Sequence, residues 1–258
     1  MTNRVMVFSA FLTYSLGFIG IVKGETAHPV LWYGGFQLYG ALKGGKAPEA
    51  IDDVQKQFKS KWDDPPVTVY NTDGKKVGEV NNCEEFFKAY YKKWEPMSTI
   101  DRGPYGLTGL YCFASREILN AKPSLKSFIS KLKMDRNIAR LLPAEVGMII
   151  SRDDERKLAN HKNWSWAKFD QIRGGSGKGY EVKLDSSYAV HFVDKVATGD
   201  FNGDGVEDIM LLIRHGVKQG TYASFDLFIC TRNKTLGPLS VLKKYDGFYP
   251  ATEDRQTK

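Results

Sequence analysis

The sequence predicts an α+β fold, helix-rich through its N-terminal half and an antiparallel β-meander through its C-terminal half. Three observations carry this. Apolar residues recur at helical spacing at Ile51, Val54, Phe58 and Trp62, and again at Phe86, Phe87, Tyr90, Tyr91 and Trp94. After residue 187 they alternate instead, at Tyr188, Val190 and Phe192 and later at Phe225, Leu227 and Ile229. A period near 3.6 buries one stripe of a helix, whereas a period of 2 buries one face of a strand. Between the alternating runs lies a loop dense in Asp, Asn and Gly, residues 199–208, which leads into the apolar run 209–213.

From the N-terminus, Arg4 gives a short positive start and residues 5–22 carry no charge. The spacing predicts a signal peptide over 1–24 with cleavage after Gly24. The competing reading is an uncleaved anchor, since the run is just long enough to span a membrane; Thr13, Tyr14, Ser15, Gly17 and Gly20 dilute it and favour cleavage. Export is expected either way, to the periplasm or beyond. An α+β region is expected over 25–150, a β-rich region over 151–250 and a polar tail over 251–258.

Pro48 sits where a helix begins, and that helix is expected to end before Pro65 and Pro66. A hairpin follows, with residues 67–70 and 76–80 flanking the turn Asn71-Thr72-Asp73-Gly74. Asn82, with Glu85 three residues on, reads as the cap of an aromatic-faced helix. A second helical segment is predicted over 107–119. A third is predicted from Pro123, with Leu125, Phe128, Ile129 and Leu132 on one side and a basic face of Lys126, Lys131, Lys133, Arg136 and Arg140 on the other. Residues 146–150 read as a buried strand, 151–157 as the softest place for a boundary, Trp164-Ser165-Trp166 as a strand with both indoles on one face, and 174–179 as a glycine-rich hairpin tip. That glycine run is not a phosphate loop, because Ile172 and Gly179 occupy positions where the motif needs Gly and Ser or Thr. The last strand is expected over 239–242.

The loop places side-chain oxygens at Asp200, Asn202, Asp204 and Asp208, loop positions 1, 3, 5 and 9, with Gly205 at position 6 and the Val206 carbonyl at position 7. Calcium takes about six to eight oxygen ligands, and alternate residues of a tight loop supply them. Position 12 is Leu211, where an EF-hand carries Glu. The string running into a strand resembles the calcium loops of FG-GAP/VCBS-type repeats, seen in integrin α-chains. The resemblance covers about fifteen residues in a single copy and implies a bound Ca2+, not a propeller. Glu207 is expected to point outward.

The chain has 3 cysteines among 258 residues. Cys83 and Cys112, in consecutive helical segments, are expected to pair, leaving Cys230 as a buried thiol. The net charge of +7, lower by Arg4 and Lys23 once the predicted signal peptide is removed, is compatible with an acidic partner or an anionic envelope surface but is unremarkable at this size and does not single out nucleic acid. Four histidines lack metal spacing, and neither G-x-S-x-G nor H-E-x-x-H occurs; an imagined Ser–His–Asp site would use His191 and Asp194. The expected function is a calcium-stabilised exported protein that binds another protein, as an inhibitor or immunity factor does. The alternative is an envelope glycan binder or hydrolase with Trp32, Tyr33, Trp164 and Trp166 as stacking platforms.

Overall fold

A computed structural model describes residues 27–33, 50–62 and 65–247; the predicted signal peptide, Pro48 and the polar tail lie outside them. In chain order the elements are β1 (Leu31–Trp32), α1 (Ile51–Lys59), β2 (Val67–Tyr70), β3 (Lys76–Val80), α2 (Cys83–Tyr91) and the long α3 (Thr99–Asn120). Next come α4 (Ile138–Leu141), a 3₁₀ turn (Ala144–Val146), α5 (Arg152–Asn160) and α6 (Trp166–Phe169). The chain closes with β4 (Gly174–Lys178), β5 (Glu181–Asp185), β6 (Ala189–Gly199), β7 (Asp208–Val217), β8 (Ala223–Thr231) and β9 (Ser240–Asp246). These last six strands form one antiparallel meander in sequence order, and β1 joins it beside β6. The fold is α+β, with most of its helix in the N-terminal half.

Both faces of the meander are covered. Met210, Leu212, Leu227, Ile229 and Tyr245 point into a core shared with the rings of α2 and α3, including Phe86, Tyr90 and Phe113. Ile209, Leu211, Ile213, Phe228 and Cys230 point the other way, onto Ile138, Leu142, Val146 and Trp166. This is why β7 reads as an unbroken apolar run where a half-solvated strand would alternate. At the helical face Glu117, only 6% exposed, ties α3 to β9, accepting from the Tyr245 hydroxyl at 2.5 Å and from Lys243 Nζ at 2.9 Å.

The Asn82 cap is present, its Oδ1 accepting from Glu85 N at 2.8 Å. Several expectations need correction. The helix α3 begins at Thr99, capped by the Ser98 hydroxyl, and runs through Pro104. No helix forms at Pro123: residues 122–126 are an extended strap, because the loop at 200–207 captures their backbone groups. Lys122 N and O pair with Asp200, Leu125 N and Lys126 N both donate to Gly205 O, and Lys126 O accepts from Glu207 N at 2.7 Å. The proposed basic helix face therefore does not exist as such.

Residues 146–150 form no strand; Val146 ends the 3₁₀ turn, with Val146 and Met148 buried and Ile150 half exposed. The soft stretch at 151 is α5, with Ser151 and Asp154 making a capping box. The 174–179 run is no tip but mostly strand β4, since the backbone of Met134 packs where a side chain at Gly177 would stand. The final strand extends to Asp246.

A Cys83–Cys112 disulfide, with Cα atoms 5.3 Å apart, staples α2 to α3 at their buried contact, and Cys230 is a buried thiol. Burial pushes the Cys230 thiol well above its ordinary value, which removes it from thiolate chemistry. The bond is what an oxidising compartment allows and is consistent with a location outside the cytosol. Among the described residues no helix is long and apolar enough to cross a membrane. Replacing both cysteines by Ala should lower unfolding stability by about 2–4 kcal/mol in urea titration, whereas Cys230→Ala should leave the disulfide intact; equal stability of wild type and the double variant would contradict the staple.

Candidate metal loop and a buried histidine pair

The loop between β6 and β7 is a closed polar turn. Asp200, 5% exposed, uses Oδ1 to accept from Gly203 N at 2.6 Å and Asp204 N at 3.2 Å, and Oδ2 to accept from Gly205 N at 2.9 Å. Gly203 and Gly205 have φ of +82° and +80°, values that a residue without Cβ adopts cheaply. Asn202 Oδ1 accepts from Asp204 N at 3.0 Å, and Asp204 Oδ1 from Val206 N at 2.8 Å. Asp208 is fully buried; its Oδ2 accepts from Phe201 N at 3.1 Å, while Oδ1 has no hydrogen-bond partner. Burial pushes the Asp208 carboxyl up to about 6; the Thr231 hydroxyl and Phe201 N–H oppose this, and Asp204 and Asp200 add to it. The Thr231 hydroxyl itself is not aligned as a hydrogen bond.

The predicted ligand residues thus lie within this turn or at its exit into β7, and the buried Oδ1 of Asp208 has no hydrogen-bond partner. Among the described residues no three acidic, His or Cys side chains stand as a ready metal-ligating group. The neutral oxygens of Asn202 and Val206 would therefore have to be part of any Ca2+ set, and such a set would hold the loop without supplying reaction chemistry. Glu207 does not point outward as expected. It is 7% exposed, because the strap covers it.

The second polar centre is buried in the sheet. His191 on β6 and His215 on β7 face each other in register, with Nδ1 atoms 2.8 Å apart and residue exposures of 0% and 2%. His191 Nε2 stands 3.8 Å from Asp170 Oδ2, and His215 Nε2 3.7 Å from Asp226 Oδ2. The result is a four-member row, Asp170–His191–His215–Asp226, flanked by the Trp166 ring. Asp170 is fixed by Met148 N at 3.0 Å, Trp166 Nε1 at 2.7 Å and Tyr188 OH at 2.7 Å. Lys244 Nζ lies 3.1 Å from Asp226 Oδ1.

Burial lowers both imidazoles below the ordinary histidine value; Asp170 and Asp185 oppose this at His191 while Lys218 adds to it, and His191 and Lys244 add to it at His215. Burial pushes Asp226 up to about 6 against the pull of Lys244. With both rings neutral, the Nδ1–Nδ1 contact needs one proton between them. Asp170, whose oxygens accept three hydrogen bonds and stand nearest His191 Nε2, favours the proton on that nitrogen, so His191 Nδ1 accepts and His215 Nδ1 donates. The row holds and orients protons.

The imagined triad is not assembled. His191 meets His215 and Asp170, while Asp194 turns away to Arg214 at 3.5 Å. The four aromatic residues do not form one platform either. Trp166 is fully buried, Trp164 stacks on His161 at 3.8 Å, and Tyr33 packs against Tyr180 at 4.5 Å with Lys195 over it. The histidine row was missed because pairing register is not written in either strand alone. One available signal was that His191 is in phase with Val193, and His215 with Ile213, on the inward positions of neighbouring strands.

Comparison with protein-family models, with curated proteins and with solved structures returns no match, so these sites are read from their own geometry. Folding lowers the imidazole pKa values, so the unfolded chain binds protons below about pH 6.5 that the folded chain refuses; the pair favours folding above that pH and loses the advantage as pH falls. Nitrogen-detected NMR of the histidines should find the Nε2–H form at His191, the Nδ1–H form at His215, and no titration of either between pH 8 and pH 6.5. Matching tautomers, or a midpoint above 6.5, would contradict the row.

Proposed function

We propose that the protein acts outside the cytosol, in the periplasm or secreted, as a Ca2+-stabilised binding protein whose partner is another protein. The observation that carries the calcium part is Asp208 Oδ1, a buried carboxylate oxygen without a hydrogen-bond partner, set in a loop whose Asp200, Asn202, Asp204 and Val206 supply further oxygens. Three carboxylates in one turn repel one another, and a divalent cation converts that repulsion into attraction. The Cys83–Cys112 bond supports the compartment.

Binding has its support at the α2–α3 corner. Met97 and Ile100, at the start of α3, are 60% and 83% exposed, large apolar side chains of the kind that contact surfaces carry. An inhibitor or immunity-type role fits such a surface without any catalytic constellation. The glycan reading has less support, since its four aromatic residues are not assembled into one face.

Calcium at ten times its Kd should stabilise the native state by about 1.4 kcal/mol, raising Tm by a few degrees. Asp204→Ala should abolish this rise, and Glu207→Gln should keep it even if its baseline Tm is lower. An unchanged Tm for chelator-stripped wild type in millimolar calcium, with no binding heat, would overturn the calcium reading. The partner reading is checked by recovery from an envelope fraction: Ile100→Asp should lose a stoichiometric partner that wild type retains at equal Tm, and equal recovery by both would contradict it.

A further inference from the structure

A cavity of about 220 Å³ opens at the α2–α3 corner, walled by the rings of Phe86, Tyr90, Trp94, Tyr105 and Phe113. The rings brace one another edge to face, Phe86 against Phe113 at 5.7 Å and Tyr90 against Phe113 at 5.1 Å. An apolar cavity of about 150 Å³ accepts benzene; this one has room for a larger ring. It is too small for a drug-sized molecule, whose pockets run from about 300 Å³ upward.

Charges of both signs stand among the lining residues. Arg102 donates Nε to Pro96 O at 3.0 Å, which steadies the guanidinium while its two terminal nitrogens make no hydrogen bond or ion pair among the described residues. Lys93 is the other cation. It closes α2 in a Schellman turn, with Lys93 N donating to Tyr90 O and Trp94 N to Ala89 O, at φ +56°. That position favours glycine, and a bulky residue held there is a pointer to function. Glu95 and Asp246 also line the cavity, and a carboxylate accepts several donors at once.

We propose that this pocket binds a small aromatic zwitterion, of which a free aromatic amino acid is the simplest form. The ring enters between the aromatic walls. Its carboxylate meets Arg102 and Lys93, whose charged ends make no ion pair among the described residues, and its ammonium meets Glu95 and Asp246. A neutral ring would leave the cations without an anion, and a ligand of single charge would face one pair of like sign. The site lies apart from the 200–208 loop and stands whether or not that loop takes calcium.

The test is calorimetric titration of the full chain with L-tryptophan, indole, indole-3-propionate and tryptamine. L-Tryptophan should saturate at one site and bind at least about tenfold more tightly than each of the other three, one tenfold step being about 1.4 kcal/mol. Arg102→Ala should weaken L-tryptophan and indole-3-propionate by about tenfold or more while leaving tryptamine unchanged. Lys93→Gly removes a cation at a position where glycine relieves the backbone, so it should weaken L-tryptophan with Tm unchanged or higher. Absence of saturable heat with all four, indole binding as tightly as L-tryptophan, or unchanged L-tryptophan affinity in Arg102→Ala would each overturn the proposal. Loss of calcium stabilisation in a protein that still binds L-tryptophan would count against the loop alone.

Discussion

The clasp between the 200–208 loop and the strap at 122–126 is the constraint on which the rest depends. Asp200 gathers three loop amides onto one carboxylate, and the turn so closed presents Gly205 O to Leu125 N and Lys126 N. The strap is the link between α3 and the elements that cover the opposite face of the sheet. One polar turn thereby fixes where the chain passes from one core to the other. The tip at 202–204 is exposed, but the ends of the turn are buried, and an amide left unpaired there costs about 1–3 kcal/mol. Side chains of the turn pair most of its amides, leaving Asp208 Oδ1 as the conspicuous orphan.

The same logic of buried polar groups governs the sheet. Apolar residues on both faces of β7 provide the hydrophobic drive, yet the inward positions at residues 191 and 215 are histidines. Their cost is limited by the hydrogen bond between the two Nδ1 atoms, while each Nε2 faces a carboxylate without a hydrogen bond to it, Asp170 being ordered by Trp166, Tyr188 and Met148. A row built in this way is sensitive to the loss of any member, since truncation strands a neighbour in a dry interior. It therefore specifies β6–β7 register beyond what apolar packing alone requires: a slip of one residue would put the two rings on opposite faces of the sheet.

Local periodicity made the helix α1, the capped start of α2, the first hairpin and the meander legible in the sequence, because each is dictated by spacing and caps within a few residues. The Cys83–Cys112 pairing followed from the same local placement. What failed was decided by distant partners. Residues 125–132 carry a helical apolar pattern, but the loop holds 122–126 extended, and the residues after them form local turns instead of a helix. Glu207 looked like an outward loop position until the strap covered it. Trp166 reads as a strand residue and caps the sheet from a short helix instead. The oxygens of the loop were visible at their exact spacing of alternate residues, whereas the histidine row and the aromatic pocket exist only through strand register and helix docking.

Native-state amide hydrogen exchange at Leu125, Lys126 and Glu207, compared with the neighbouring amides of β7, tests the clasp most directly. These three amides should exchange as slowly as the strand, and Asp200→Asn, which weakens the closed turn, should accelerate all three together. Exchange of the three at the rate of the open turn at 219–222, in a protein whose β7 amides remain protected, would contradict the clasp as the organising contact.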